Sequence, residues 1–197
     1  MRIRTFLLAL ATLAAVAAPN PKVKFTTNLG SFTLELDPEA APKTVANFLG
    51  YVRSGHYKGT TFHRIIPNFM VQGGGMTAAG AEKPTPTRVV NEAKQAQEKG
   101  WRNVRGTVAM ARTPDPHSAS AQFFVNVVDN AFLDYPGQDG WGYCVFGKVV
   151  DGMDTIDKIR DVKTGPGGKP LSPVTISAAA VEGAAKPAGK KPAAKLG

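Results

Sequence analysis

The sequence predicts an all-β domain, a barrel or a sandwich of short strands, on three observations. Gly 21 and Pro 15 in 197 residues are too many for a helical bundle, where either residue costs helix stability. Apolar positions recur at period two or in short, mostly apolar runs, with turn formers between them. Only two stretches change to helical spacing. Many short strands, Gly/Pro turns and two helices indicate a closed or sandwiched antiparallel sheet. The length suits one domain, since domains cluster near ~100–200 residues. With 43% hydrophobic and 20% charged residues, the composition is that of a globular chain, not a disordered or membrane-spanning one.

The elements follow in order. Val23, Phe25 and Thr27 alternate with Lys24 and Thr26, and Phe32, Leu34 and Leu36 alternate again after Asn28-Leu29-Gly30-Ser31, which predicts a hairpin. Val45, Phe48, Leu49 and Val52 fall at i, i+3, i+4 and i+7, which predicts a helix over 42–54 with Pro42 in its first turn and Gly55 at its end. Strands are predicted over Thr61–Ile66, Phe69–Gln72, Gly106–Ala111, Gln122–Val128, Tyr143–Val150 and Val174–Val181. Met153, Ile156 and Ile159 mark a second short helix, with Asp154 well placed in its first turn.

The two ends differ from the middle. Residues 1–18 join Arg2 and Arg4 to an apolar run, Phe6 to Ala18, that ends in small residues, the pattern of a cleaved secretory signal peptide. A 13-residue helix would cover ~20 Å, short of the ~30 Å hydrocarbon core, which argues against a permanent anchor. The reading is a signal peptide over 1–18, a domain over 19–182 and a disordered Lys/Ala/Pro tail over 183–197, which has only Leu196 as a large apolar residue. Export to the periplasm is expected, with no membrane contact after cleavage. Of the formal +9 charge, two positive charges lie at Arg2 and Arg4 and four at Lys186, Lys190, Lys191 and Lys195, which leaves +3 for the middle. That is weak support for a nucleic-acid partner, and none is expected.

Most catalytic motifs are absent. There is no phosphate loop, no G-x-G-x-x-G and no G-x-S-x-G nucleophile elbow. His56, His63 and His117 lack the i, i+4 pairing of a zinc helix, and one cysteine excludes an intrachain disulfide framework and any cysteine-rich metal site. His63 reads as a structural histidine within a strand, and Cys144 as a small buried hydrophobe. What remains is a set of segments that together outline a groove: FHRIIPNFMVQGG at 62–74, GTVAMAR at 106–112, SAQFFVN at 120–126, AFLD at 131–134 and YCVFGKV at 143–149. Apolar walls (Phe69, Met70, Phe124, Phe132, Leu133) and a few polar groups (Arg64, Gln72, Gln122) make a pocket for a small ligand or a peptide. Phe62, Phe123 and Phe146 read as core. Arg64 and Gln72, eight apart, would share a face on one continuous strand, although Pro67-Asn68 signals a turn or bulge between them.

These segments resemble the cyclophilin-type peptidyl-prolyl cis-trans isomerases. The resemblance runs from about Val23 to Val181 and includes Pro42-x-Thr44-x-x-Asn47-Phe48; the Tyr143-x-Val145-Phe146-Gly147 variant and the leader resemble the exported bacterial branch. It implies a closed eight-stranded antiparallel β-barrel with a helix over each end, catalysis without metal or cofactor, proline-containing unfolded or partly folded polypeptides as partners, and a monomer. By motif position it implies Arg64 as the catalytic arginine, with Gln72 binding substrate backbone or holding Arg64. It implies a proline pocket of Phe69, Met70, Phe124 and Leu133. Ala111, Arg112 (through its main chain) and Gln122 would line the peptide groove, with Phe132 and Tyr143 beside it. Phe132 stands where many members carry Trp, Tyr143 where many carry His, and Arg112 where Asn is common. Phe132 lacks the indole N–H that contributes to cyclosporin binding in members that have it, so only weak cyclosporin binding is expected. Two other readings stay open: a peptide-binding module on this fold without catalysis, and a polyanion-binding protein acting through Lys186–Lys195.

Overall fold

The first hairpin joins β1 (Lys22–Thr27) to β2 (Gly30–Leu36) and is paired from Lys22↔Glu35 to Thr27↔Gly30. Val23, Phe25, Phe32, Leu34 and Leu36 are completely buried, as the alternation predicted. The computed structural model describes residues 19–183; the predicted leader at 1–18 and the tail from 184 onward lie outside the described residues. The remaining strands are β3 (Thr60–Ile66), β4 (Met70–Thr77), β5 (Thr107–Met110), β6 (Phe123–Asn126), β7 (Val145–Asp151) and β8 (Ile176–Val181). All pair antiparallel in the order β3-β4-β6-β5-β7-β2-β1-β8. The two outer strands meet where the Phe62 N–H donates to Val174 O at 2.9 Å and the Gly59 N–H donates to Ile176 O at 2.8 Å. The sheet is thus a nearly closed eight-stranded barrel.

Aromatic rings fill its interior. Phe25 stacks on Phe32 with centroids 5.1 Å apart, and Phe123 meets Phe25, Tyr57 and Phe62 at 5.4, 5.7 and 6.0 Å. Each such pair is worth about 0.5–1.5 kcal/mol beyond the area it buries. Helix α1 (Pro42–Arg53) drives Phe48 into this cluster, 4.9 Å from Phe146. Helix α3 (Met153–Arg160) packs against β2, β3 and β4 through Thr155, Ile156 and Ile159.

A third helix, α2 (Ala93–Glu98), adds to the two the sequence predicted. It is one and a half turns long and buries only Ala93 and Ala96, so no apolar stripe announces it. Its value lies in the residue before it. The buried Glu92 carboxylate accepts the Lys43 N–H at 3.1 Å and the Thr44 N–H and Oγ1–H at 2.8 Å each, capping α1 from across the chain. Strand ends also shift, and two of the shifts bear on the site. Phe69 lies in the hairpin turn ahead of β4, and Tyr143 and Cys144 precede β7.

Candidate active site

Alternation along four strands builds two apolar clusters, one on each face of the sheet. Val71, Val108, Met110, Phe123, Val125 and Phe146 point into the barrel. Their neighbours Met70, Ala109, Phe124 and Val145 point outward, and with Leu133 they form a second cluster outside it. Met70, Phe124 and Leu133 are 1%, 4% and 6% exposed, which makes them the floor of a surface cavity of about 390 Å³. Phe69 and Phe132 wall one side, their rings stacked with centroids 5.5 Å apart. Phe132 is 52% exposed, so it forms a rim and not a floor.

The polar edge comes from the β3–β4 hairpin. Arg64 and Gln72 are direct cross-strand partners, and Arg64 Nη1 donates to Gln72 Oε1 at 3.4 Å. The two share a face because the chain reverses at Pro67-Asn68, not because one strand runs through both. The Arg64 guanidinium also sits 5.9 Å from the Phe69 ring centroid. Gln72 Nε2 donates to Gln122 Oε1 at 3.0 Å, and Gln122 Nε2 reaches Glu82 Oε1 at 3.4 Å. Gln122 has room only because residue 75 is glycine: a Cβ there would lie 2.4 Å from Gln122 Cγ.

Behind the floor lies a buried amide network. Asn130 Nδ2 donates to Phe69 O at 2.9 Å and to Asn126 Oδ1 at 2.8 Å. Asn126 Nδ2 in turn donates to Thr107 Oγ1 at 2.9 Å and Asn103 Oδ1 at 3.2 Å. The Leu133 N–H donates to Asn130 O at 2.9 Å, so one network fixes both Phe69 and the 131–133 turn.

The opposite wall is the 137–143 segment. Tyr143 meets the Phe124 ring at 5.8 Å, edge to face. Gly142, with φ +65°, passes so close to the chain at Asp134 and Tyr135 that a Cβ would lie 2.7 Å from Tyr135 N, so no other residue fits this turn without strain. Asp139 pairs with Arg112, whose hydrogen bond is the chief reason that its carboxyl is held down at about 2. Burial lowers the pKa of His63, whose Nδ1 has no hydrogen-bond partner among the described residues. Cys144 is 4% exposed and burial pushes its thiol up to about 12, as befits a core residue.

Of the residues singled out in the sequence, Arg64, Phe69, Met70, Gln72, Ala111, Arg112, Phe124, Phe132, Leu133 and Tyr143 line this one cavity. Gln122 does not; it stands behind Gln72 and touches the site through it. Arg112 also brings a side chain that is 3% exposed and bonded to the wall, which the sequence did not foretell. Gly137, Gln138, Asp139 and Gly142 also line the cavity and were not foreseen. The run Pro136-Gly-Gln-Asp-Gly-Trp-Gly142 has turn composition but no periodicity, and its one usable signal was an acid that Arg112 could pair with.

Comparison with known proteins agrees with this geometry. The family model described as cyclophilin type peptidyl-prolyl cis-trans isomerase/CLD matches residues 22–181. A peptidyl-prolyl cis-trans isomerase of Streptomyces antibioticus is 52% identical over 167 residues, covering 82% of this chain and 98% of its own. Peptidyl-prolyl cis-trans isomerase B of Escherichia coli (strain K12) is 53% identical over 148 residues, covering 74% of this chain and 88% of its own. The crystal structure of a cyclophilin type peptidyl-prolyl cis-trans isomerase from Cryptosporidium parvum superposes with a TM-score of 0.68 at 26% identity, covering 85% of this chain and 99% of that one. A second crystal structure of the Cryptosporidium protein, in the presence of the dipeptide Ala-Pro, gives 0.66 at 27% identity, covering 81% of this chain and 98% of that one. With a matching family model over most of its length, half-identical relatives and the same barrel, the chain belongs to the cyclophilin-type peptidyl-prolyl cis-trans isomerases.

Proposed function

We propose that this isomerase accelerates X-Pro isomerisation during the folding of exported proteins, with Arg64 as the group that stabilises the twisted amide. The observation that carries the reading is a guanidinium held at the rim of a cavity of about 390 Å³ with an apolar floor, steadied by Gln72 at 3.4 Å. The dipeptide in the Cryptosporidium structure supports a proline-containing peptide as occupant.

The chemistry follows from the amide. Partial double-bond character gives the C–N bond a barrier of ~18–20 kcal/mol, and X-Pro isomers exchange over tens to hundreds of seconds. A turnover of ~10²–10³ s⁻¹ requires four to five decades of acceleration, roughly 5.5–7 kcal/mol. No bond breaks, so no nucleophile or general base is needed. In the twisted state the prolyl nitrogen is pyramidal and more basic. Arg64 donates to that nitrogen or to the prolyl carbonyl from its planar guanidinium fork. One preorganised donor is worth up to about 2.7–4 kcal/mol once the bound peptide excludes water from it. Met70, Phe124, Leu133 and Phe69 hold the ring while the acyl side turns; Ala111, Phe132 and Tyr143 contact the flanking chain. The neutral amides of Gln72 and Gln122 hold Arg64 in aim without competing for its charge.

Export rests on Arg2, Arg4 and the Phe6–Ala18 run, which suit a cleaved leader and a periplasmic site of action. The mature enzyme works as a monomer and binds cyclosporin weakly, since Phe132 offers no donor at the rim. The decisive experiment is a protease-free isomerisation assay on short X-Pro peptides, with Arg64→Ala beside the unmodified protein. Turnover that depends on Arg64 is the expected result. Peptide binding with no rate enhancement would leave a binding module instead.

A further inference from the structure

We propose that Arg112 is a positioning residue whose side chain clasps the 137–142 wall and thereby sets the affinity of the groove for peptide. This rests on the groove being the peptide site.

The wall needs such a clasp. Gly137, Gly140 and Gly142 all have positive φ, and residues of that kind lose the most conformational freedom on ordering. Gln138, Asp139 and Gly140 are exposed, so apolar packing contributes little to holding the segment. Polar contacts take its place: one from Asn91, whose Nδ2 donates to Gly142 O at 3.0 Å, and the larger set from Arg112. Its Nε and Nη2 donate to Gly142 O at 3.3 and 3.0 Å, Nη1 donates to Thr113 O at 3.1 Å, and Nη2 pairs with Asp139. Asp139 Oδ1 accepts the Trp141 and Gly142 N–H groups at 3.0 and 3.1 Å, which folds the segment back on itself. The guanidinium lies 4.4 Å from the Tyr143 ring centroid and so orients a second groove residue.

Three acceptors in three directions suit a planar fork and not a point ammonium. The catalytic groups are independent of this arrangement. Arg64, Gln72 and Met70 stand on β3 and β4, which the clasp does not touch, and it reaches Phe124 on β6 only through the Tyr143 ring, 5.8 Å away. Loss of the clasp therefore lets the wall move while leaving the chemistry intact. The ordering cost is then met at the moment of binding and appears in KM.

The test measures KM and kcat for X-Pro peptides with the unmodified protein, Arg112→Ala, Arg112→Lys and Asp139→Asn, and follows amide hydrogen exchange at Trp141 and Gly142. Arg112→Ala should raise KM about tenfold with kcat within about twofold, the size expected for lost hydrogen bonds to a charged group. Arg112→Lys and Asp139→Asn should move KM the same way by less, and exchange at both amides should quicken. An unchanged KM in folded Arg112→Ala would overturn the proposal. So would kcat and thermal midpoint falling together at constant KM, the mark of a purely structural residue. If the unmodified protein bound no X-Pro peptide, the functional reading would fall and the proposal with it; if it bound and Arg112→Ala bound equally well, only the proposal would fall.

Discussion

Arg64 and Gln72 face each other across the β3–β4 hairpin, with Nη1 donating to Oε1 at 3.4 Å. The contact is long and the guanidinium is solvent-exposed, so it directs the side chain without consuming its donors. Arg64→Ala should lower kcat/KM by ~10²–10³ while leaving the fold intact. Ground-state peptide affinity should change far less, because the rate depends on contacts that strengthen in the transition state. Arg64→Lys should also be impaired. Isomerisation rate, peptide affinity and thermal midpoint on the same variants decide it. Near-normal kcat/KM in folded Arg64→Ala would remove Arg64 from the mechanism.

Gln122 acts at one remove. Its Oε1 accepts from Gln72 at 3.0 Å and fixes which way the Gln72 amide points. Gln122→Ala should reduce kcat/KM about threefold to tenfold, the worth of one neutral hydrogen bond. Gln122→Glu keeps the acceptor but turns its second oxygen toward Glu82 Oε1, to which Gln122 Nε2 donates at 3.4 Å, so it should recover only part of the loss. Steady-state assays on the pair test this; equal losses in both would point to charge or packing.

The rim at Phe132 sets inhibitor affinity. Phe132→Trp adds an indole N–H and apolar area at a position that is already 52% exposed, so the ring can enlarge without displacing core. Cyclosporin inhibition should tighten by ~1–3 kcal/mol, up to about a hundredfold, in a competition assay. Nanomolar inhibition of the unmodified protein would reject the idea.

Alkaline stability should carry the signature of buried acids. Burial raises the Cys144 thiol from 9.0 to about 12, and burial likewise raises the Tyr57 hydroxyl well above 10.0. A folded-state pKa above the unfolded one means full stability below the unfolded value and a progressive loss as pH rises through the folded value. The thermal midpoint should therefore decline from about pH 9 upward. Cys144→Ala should flatten the first part of that decline, and Cys144 should resist alkylation until the protein unfolds.

The apolar run at 6–18 predicts a cleavage on export. Mass spectrometry of protein from the exported fraction should give a first residue near 18–20. An intact Met1 there would refute cleavage.

Much of the barrel was legible locally. The alternation in 22–36 and the helical spacing of Val45, Phe48, Leu49 and Val52 each reflect one face of one element meeting one core. The site floor was partly legible too, since Phe123 and Phe124 must face opposite sides of any strand; which side was the core could not be read from the pair itself. Helix α2 was illegible because two alanines make no stripe, and Gln122 was placed on the groove because its neighbour Phe124 lines it.

What the sequence determined by itself is whatever depends on period and composition: strands, two helices, a leader-like run, and segments that together carry a guanidinium and an apolar pocket. Tertiary structure alone decided which distant residues complete one another. Glu92 caps α1 from 48 residues away, Arg64 meets Gln72 by reversal of the chain, and Arg112 finds Gly142 thirty residues on. Hydrogen bonds and ion pairs act over about 3 Å in space whatever the separation in sequence. A pattern local to the chain therefore cannot encode them, and only the closed barrel brings their partners together.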